Sequence, residues 1–334
     1  MAERKNALLV FTKAPLPGVV KTRMTTEYGG FLTLAQAAGF YRTCFYDVCE
    51  MGMQALIELQ RKNDAARETD PTVDRITYDF FCSTTPADSL EKMKEVFEAV
   101  GPWPMEVNFI VDNGTSFDEH FNDACQQLFD RGYESFVAIG GDVPTMPKGH
   151  VKQAFQWLDY FQEIGKPGFV CAPCQECGTS LVGYSYNTPI DHTGVYYNMD
   201  GRPALDGYIE KLRESDIPSA YFDPVADIDE VTDLAHSISC MKAIAEAAKY
   251  QDLFVPHRTL SWVEFMGIRA TTPPNDNHDP RDYLDGDAEA PANTENLPSD
   301  QPLSIEDQQR IAKGMTAIRD AQAAENAYEA GKYE

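Results

Sequence analysis

Between residues 7 and 172, short apolar runs alternate with longer amphipathic stretches, and this rhythm narrows the available folds more than any single residue does. Runs of strand length stand at 7–11, 76–81, 105–111, 135–139 and 168–171. Helical patterns lie between them, at 34–59, 86–100, 117–129 and 149–161. Such alternation predicts an α/β fold: a mixed, mainly parallel sheet flanked by helices. After residue 172 the rhythm breaks. GTSLVGYSY alternates like an antiparallel strand, a helix is expected at 205–213, a short strand in AYFD, and a closing helix at 231–249. In sheets of this kind ligands sit outside the carboxyl ends of the strands, so the loops after Phe11 and Ile139 are where a site is expected.

Charge removes several function classes. Against 28 Lys and Arg stand 53 Asp and Glu, a net charge of −25, which excludes a nucleic-acid partner held through its phosphates. No apolar run is long enough to span a bilayer, and the short apolar run near the N-terminus is not followed by a cleavage signal, so a cytoplasmic protein is expected. Eight cysteines are expected to be reduced. In so acidic a chain the cations Lys13, Lys21 and Arg23 imply an anionic ligand.

Those three cations lie in FTKAPLPGVVKTR, which leaves the end of the first strand. Pro15, Pro17 and Gly18 restrain the loop, and several cations on a rigid loop suit a pyrophosphate. The spacing is neither that of a Walker loop nor that of a dinucleotide fingerprint. A basic surface turn is the plainer alternative. In VAIGGDVPTMP, Asp142 follows Gly140 and Gly141 just past an apolar strand, where a carboxylate suits Mg²⁺ or Mn²⁺ shared with a substrate phosphate, or merely a turn. In ADIDEVTDL, Asp227 and Asp229 precede the closing helix, either as metal ligands or as charges complementing its dipole.

Taken in order, FTKAPLPGVVKTR, IGGDVPTMP and DIDEVTDL resemble the hallmark segments of the nucleotide-diphospho-sugar transferase-like proteins, including glycosyltransferases of the arsenosugar-biosynthesis type. More distant relatives are guanylyltransferases that build molybdenum cofactor and phospholactyl-guanosine. The likeness spans about residues 5–250 and implies a Rossmann-like glycosyltransferase A fold with a C-terminal extension. It further implies that Lys13, Lys21 and Arg23 hold a nucleotide's phosphates, with Pro17, Gly18 and Gly141 beside it. Asp142 would bind Mg²⁺ or Mn²⁺, partnered by Asp227 or Asp229, and Asp142, Lys21 and Arg23 would carry the chemistry. The implied ligands are a nucleotide sugar or a nucleoside triphosphate, together with an unidentified small-molecule acceptor. The implied activity is glycosyl transfer, with nucleotidyl transfer or non-catalytic nucleotide binding as alternatives.

Two segments depart from the family pattern. In APCQECGTSLVG, Glu176 replaces an aspartate, Cys177 a glycine, and Thr179 and Ser180 two aromatics; in SFDEHF, His120 stands where an arginine is usual. The expected organisation is a transferase-like domain at 1–250, a docking segment at 251–270, a disordered acidic linker at 271–302 that offers a surface to a protein partner, and a final helix at 303–334. Cys171, Cys174 and Cys177 form C-x2-C-x2-C, but without a second such pair small residues lining a loop are the preferred reading over zinc. His192 is expected at the surface, with a general base as the alternative.

Overall fold

The computed structural model describes residues 3–270. The expected linker (271–302), the final helix (303–334) and the partner surface assigned to that segment lie outside the described residues.

Seven strands form one sheet in the order β3-β2-β1-β4-β6-β5-β7. They are β1 (Glu3–Phe11), β2 (Arg75–Thr84), β3 (Val107–Val111), β4 (Ser135–Gly140), β5 (Phe169–Pro173), β6 (Thr179–Ser185) and β7 (Ser219–Tyr221). β6 runs antiparallel to β4 and β5 on either side of it, and the other pairings are parallel. The sheet is therefore mixed and mainly parallel, as the alternation predicts. β1 is longer than its apolar run because Glu3 to Asn6 also pair with β2. There buried and exposed residues alternate, so no continuous apolar stretch marks the extension.

Helices α1 (Leu34–Thr69), α2 (Leu90–Glu98) and α4 (Lys148–Glu163) supply residues to the core on one face of the sheet. On the other face lie α3 (Phe117–Asp130) and α5 (Ala204–Glu214). α1 starts at a capping box, in which the Thr33 hydroxyl accepts from Gln36 N–H and the Gln36 side chain accepts from Thr33 N–H. It runs past Leu59 to Thr69, beyond the expected end, because its last turns leave the core and carry polar side chains without an apolar stripe.

A smaller third core joins the start of α1 to α6 (Val231–Ala247) and α7 (His257–Phe265), around Phe40, Ile228 and Val263. α7 is anchored by two carboxylates of α1, Asp47 and, through Arg258, Glu50. Asp47 of α1, fully buried, accepts from the Thr259 N–H and hydroxyl, each at 2.8 Å, and from the Arg258 guanidinium at 3.2 Å.

The chain order creates the feature that positions the site. From β1 the sheet grows outward through β2 and β3, and then returns to add β4 on the opposite side. The connections diverge between β1 and β4, so a crevice opens at their carboxyl ends, where Phe11 and Gly140 are register partners.

Candidate active site

Three loops meet over that crevice. The first, after β1, turns at Pro17 and Gly18, with Val19 N–H donating to Leu16 C=O at 3.1 Å. Gly18 has φ +77°, which suits a residue without Cβ. Lys21 then adopts the left-handed conformation at φ 51°, rare for a side-chain-bearing residue and the kind of outlier found at functional sites.

The second loop follows β4. Asp142 sits immediately after two glycines, and a Cβ at either would press on a side chain of the site. A Cβ on Gly140 would meet Asp142 Oδ1 at 2.6 Å, and one on Gly141 would meet the Tyr41 hydroxyl at 2.5 Å.

The third loop precedes α6. Ile228 is buried in the third core, so the flanking Asp227 and Asp229 turn toward the crevice. The Ile228 N–H donates to the Asp142 C=O at 3.1 Å, locking the third loop onto the second. Gln175 clamps the same segment, donating to the Asp227 C=O at 2.7 Å and accepting from the Asp227 N–H at 3.2 Å.

At the junction, Lys21 Nζ donates to Asp142 Oδ2 and to Asp229 Oδ1, both at 2.6 Å. The Lys21 side chain is only 6% exposed, so it points inward rather than projecting from the loop. Its left-handed backbone turns it inward, where two carboxylates bind it. Burial opposes its charge, but Asp142 and Asp229 outweigh burial and hold the ammonium well above the ordinary lysine range. Arg23 is different: its side chain is 62% exposed and lies 3.6 Å from Asp229 Oδ2.

The neighbouring carboxyls respond in opposite ways. Burial, followed by the charges of Asp142 and Asp229, pushes Asp227 up to about 7. Burial also acts on Asp229, yet Lys21 outweighs it and holds that carboxyl below the usual aspartate value.

The crevice has two adjoining lobes, of about 530 and 510 Å³. Phe11, Tyr41, Phe117, Asp142 and Tyr197 line both. The first lobe also takes in Arg23, Asp227, Asp229 and the start of β6; the second takes in Lys13, Lys21 and His120. Of the expected site residues, Lys21, Arg23, Gly141, Asp142, Asp227 and Asp229 thus gather at the first lobe or the junction, and Lys13 at the second. Pro17 and Gly18 are exposed and line neither lobe.

Sequence reasoning undervalued two histidines. His120 Nδ1 lies 2.8 Å from the buried Asp112 carboxylate, making a pair on the wall of the second lobe. The position was noted as a departure, but its partner is eight residues away at the end of β3. His192 is fully buried, not at the surface, because its ring stacks on Phe121 at 4.2 Å and both nitrogens have side-chain partners. Among the described residues no group of three or more His, Cys, Asp or Glu converges as a metal centre. Of the C-x2-C-x2-C cysteines, Cys171 is buried in β5, Cys174 half-buried and Cys177 exposed. No described helix is long and apolar enough to cross a membrane.

The fold has a counterpart among solved structures. A "putative nucleotide-diphospho-sugar transferase" from Desulfovibrio desulfuricans G20 superposes with a TM-score of 0.58 at 22% identity, covering 78% of this chain and 95% of that one. Residues 73–199 match the family described as "Uncharacterized protein conserved in bacteria (DUF2064)". That stretch contains Asp142 but neither Lys21 nor Asp229. A cytidylyltransferase from Leptospira borgpetersenii serovar Hardjo-bovis (strain JB197) is similar at a TM-score of 0.43 and 12% identity, over 82% of this chain and all of that one. No curated protein matches the sequence. The likeness drawn from the three sequence strings therefore holds at the level of the fold.

Proposed function

We propose that this chain is a glycosyltransferase that moves a sugar from a nucleoside-diphosphate sugar to a small-molecule acceptor, with Mg²⁺ or Mn²⁺ bound beside Asp142. The observation that carries this reading is the crowding of Asp142, Asp227 and Asp229 at one crevice, where one buried lysine offsets only part of their charge. Burial first, and then that surplus, keeps Asp227 protonated to about pH 7. A cation would relieve it. Asp142, through the oxygen that Lys21 does not bind, and Asp227 would hold the ion, since both oxygens of Asp229 face Lys21 and Arg23. Hard carboxylate oxygens, few in number and completed by water and phosphate, are what Mg²⁺ and Mn²⁺ prefer. When bound, such an ion offsets charge on a departing diphosphate.

The chain's own residues supply the rest. Lys21 fixes the orientation of Asp142 and Asp229, so neither carboxylate must reorganise when ligand arrives. Arg23 and Lys13, both exposed, provide charge-assisted hydrogen bonds for phosphate oxygens from opposite lobes. Phe117, packed against Phe11 and Tyr196, presents an aromatic wall between the lobes that limits water and can pack against a base or sugar.

The test is a thermal-shift series with UDP, GDP, UDP-glucose and GDP-mannose, with and without Mn²⁺, followed by product analysis. Expected are Mn²⁺-dependent stabilisation and slow release of free sugar and nucleoside diphosphate. Asp142→Asn should lose the Mn²⁺-dependent part of the shift. An unchanged shift in that variant would remove Asp142 from the reading. Pyrophosphate released from a nucleoside triphosphate would replace glycosyl with nucleotidyl transfer.

A further inference from the structure

Thr179 opens β6 on the wall of the first lobe, and behind its hydroxyl a file of buried polar groups leads into the core. The Tyr196 hydroxyl lies 2.9 Å from Thr179 Oγ1. Tyr208 donates its hydroxyl proton to Tyr196 at 3.0 Å. His192 Nδ1 lies 2.6 Å from the Tyr208 hydroxyl, and His192 Nε2 lies 3.1 Å from the Tyr184 hydroxyl.

The protons of this file can be assigned by elimination. Burial lowers His192 to about 3, so near neutral pH the ring carries a single N–H. Tyr208 gives its only proton to Tyr196, so its oxygen can only accept from His192. Nδ1 is therefore protonated, and the bare Nε2 accepts from Tyr184. Tyr196 already receives from Tyr208 and must place its own proton elsewhere. Its other described hydrogen-bond partner is Thr179 Oγ1. Thr179 thus accepts from the interior, and its own proton is left for the lobe. Each bond in such a file polarises the next.

We infer that the His192–Tyr208–Tyr196 file fixes Thr179 as a hydrogen-bond donor toward the first lobe, where it selects a lone-pair oxygen on the sugar of the nucleotide donor. The identity of that ligand rests on the glycosyltransferase reading above. Thr179 is the contact residue; Tyr196, Tyr208 and His192 are positioning residues. An ammonium group, having no lone pair, could not accept that proton. A hydroxyl already oriented outward also loses little freedom on binding.

Two measurements test this. Nitrogen-15 NMR of the full chain reads the His192 tautomer without ligand: a protonated Nδ1 and bare Nε2 are expected, and a protonated Nε2 overturns the assignment. Calorimetry with UDP-glucose against UDP, and GDP-mannose against GDP, then reads the contact. Thr179→Val should weaken the nucleotide sugar by about tenfold and leave the parent diphosphate unchanged, the size expected for one hydrogen bond. Thr179→Ser should restore affinity. Tyr208→Phe keeps Thr179 but frees Tyr196 to accept from it, and should weaken the same ligand several-fold. Undiminished nucleotide-sugar affinity in Thr179→Val overturns the inference. If neither diphosphate nor nucleotide sugar binds the unaltered protein, the glycosyltransferase reading falls, and the tautomer alone judges the file.

Discussion

Asp227 and Asp229 flank one buried isoleucine, yet their carboxyls are driven apart, because Lys21 touches Asp229 and not Asp227. The consequence for stability has a definite sign. An unfolded chain releases the Asp227 proton near the ordinary value of 3.8, whereas the folded protein keeps it to about 7. Between those values the folded state binds more protons, so this residue makes stability fall as pH rises, with no further loss above the window. Asp229 acts oppositely, contributing stability that disappears in acid. Asp227→Asn should therefore show a smaller loss of melting temperature than the unaltered protein when pH is raised from 5 to 8. Parallel curves for the two would mean that Asp227 ionises normally. At this scale sequence was informative about residue type and silent about direction. The string around Lys21 signalled a cation near phosphate. Only the left-handed turn at that residue sends the ammonium inward to two aspartates, and nothing in PLPGVVKTR specifies that turn. His192 was misjudged for a related reason: its partners Tyr184 and Tyr208 come from β6 and α5, and no local pattern connects them.

Among the elements, those with strong periodicity were legible and those defined by pairing were not. β4 and α3 lie where their apolar patterns predict, whereas the polar end of α1 and the charged start of β1 extend beyond any apolar signal. α7 is held to α1 in part through Asp47, a carboxylate with no access to water. Thr259→Val removes one donor from that buried group and keeps the side-chain shape. It should cost roughly 1–3 kcal/mol, the usual penalty for leaving a buried polar group short of a partner, measured by urea unfolding. A loss below about 0.5 kcal/mol, within the range of an inconsequential surface change, would show that Asp47 is satisfied without the Thr259 hydroxyl.

For the whole molecule, the net charge of −25 sets a field against which any anionic ligand must move. Lys13 and Arg23 act at short range, while repulsion from the remaining surface is screened beyond roughly 10 Å at 0.1 M salt. Association of UDP or GDP, followed by stopped flow, should therefore accelerate several-fold as salt is raised from about 10 to about 150 mM. A slowing would mean that the crevice cations govern the approach. Composition announced this field, but the course of β6 was less foreseeable: the antiparallel pattern of its residues was visible, its insertion between β4 and β5 was not. That insertion has an evolutionary consequence. Since β6 runs backward, β5 and β6 are joined by a short hairpin, residues 174–178, directly over the crevice. The two strands stay paired up to it, with one register shift at Ala172/Pro173. Exchanging the hairpin would therefore alter which molecule the crevice accepts and, because its Gln175 clamps the Asp227 backbone, the setting of the loop before α6 as well.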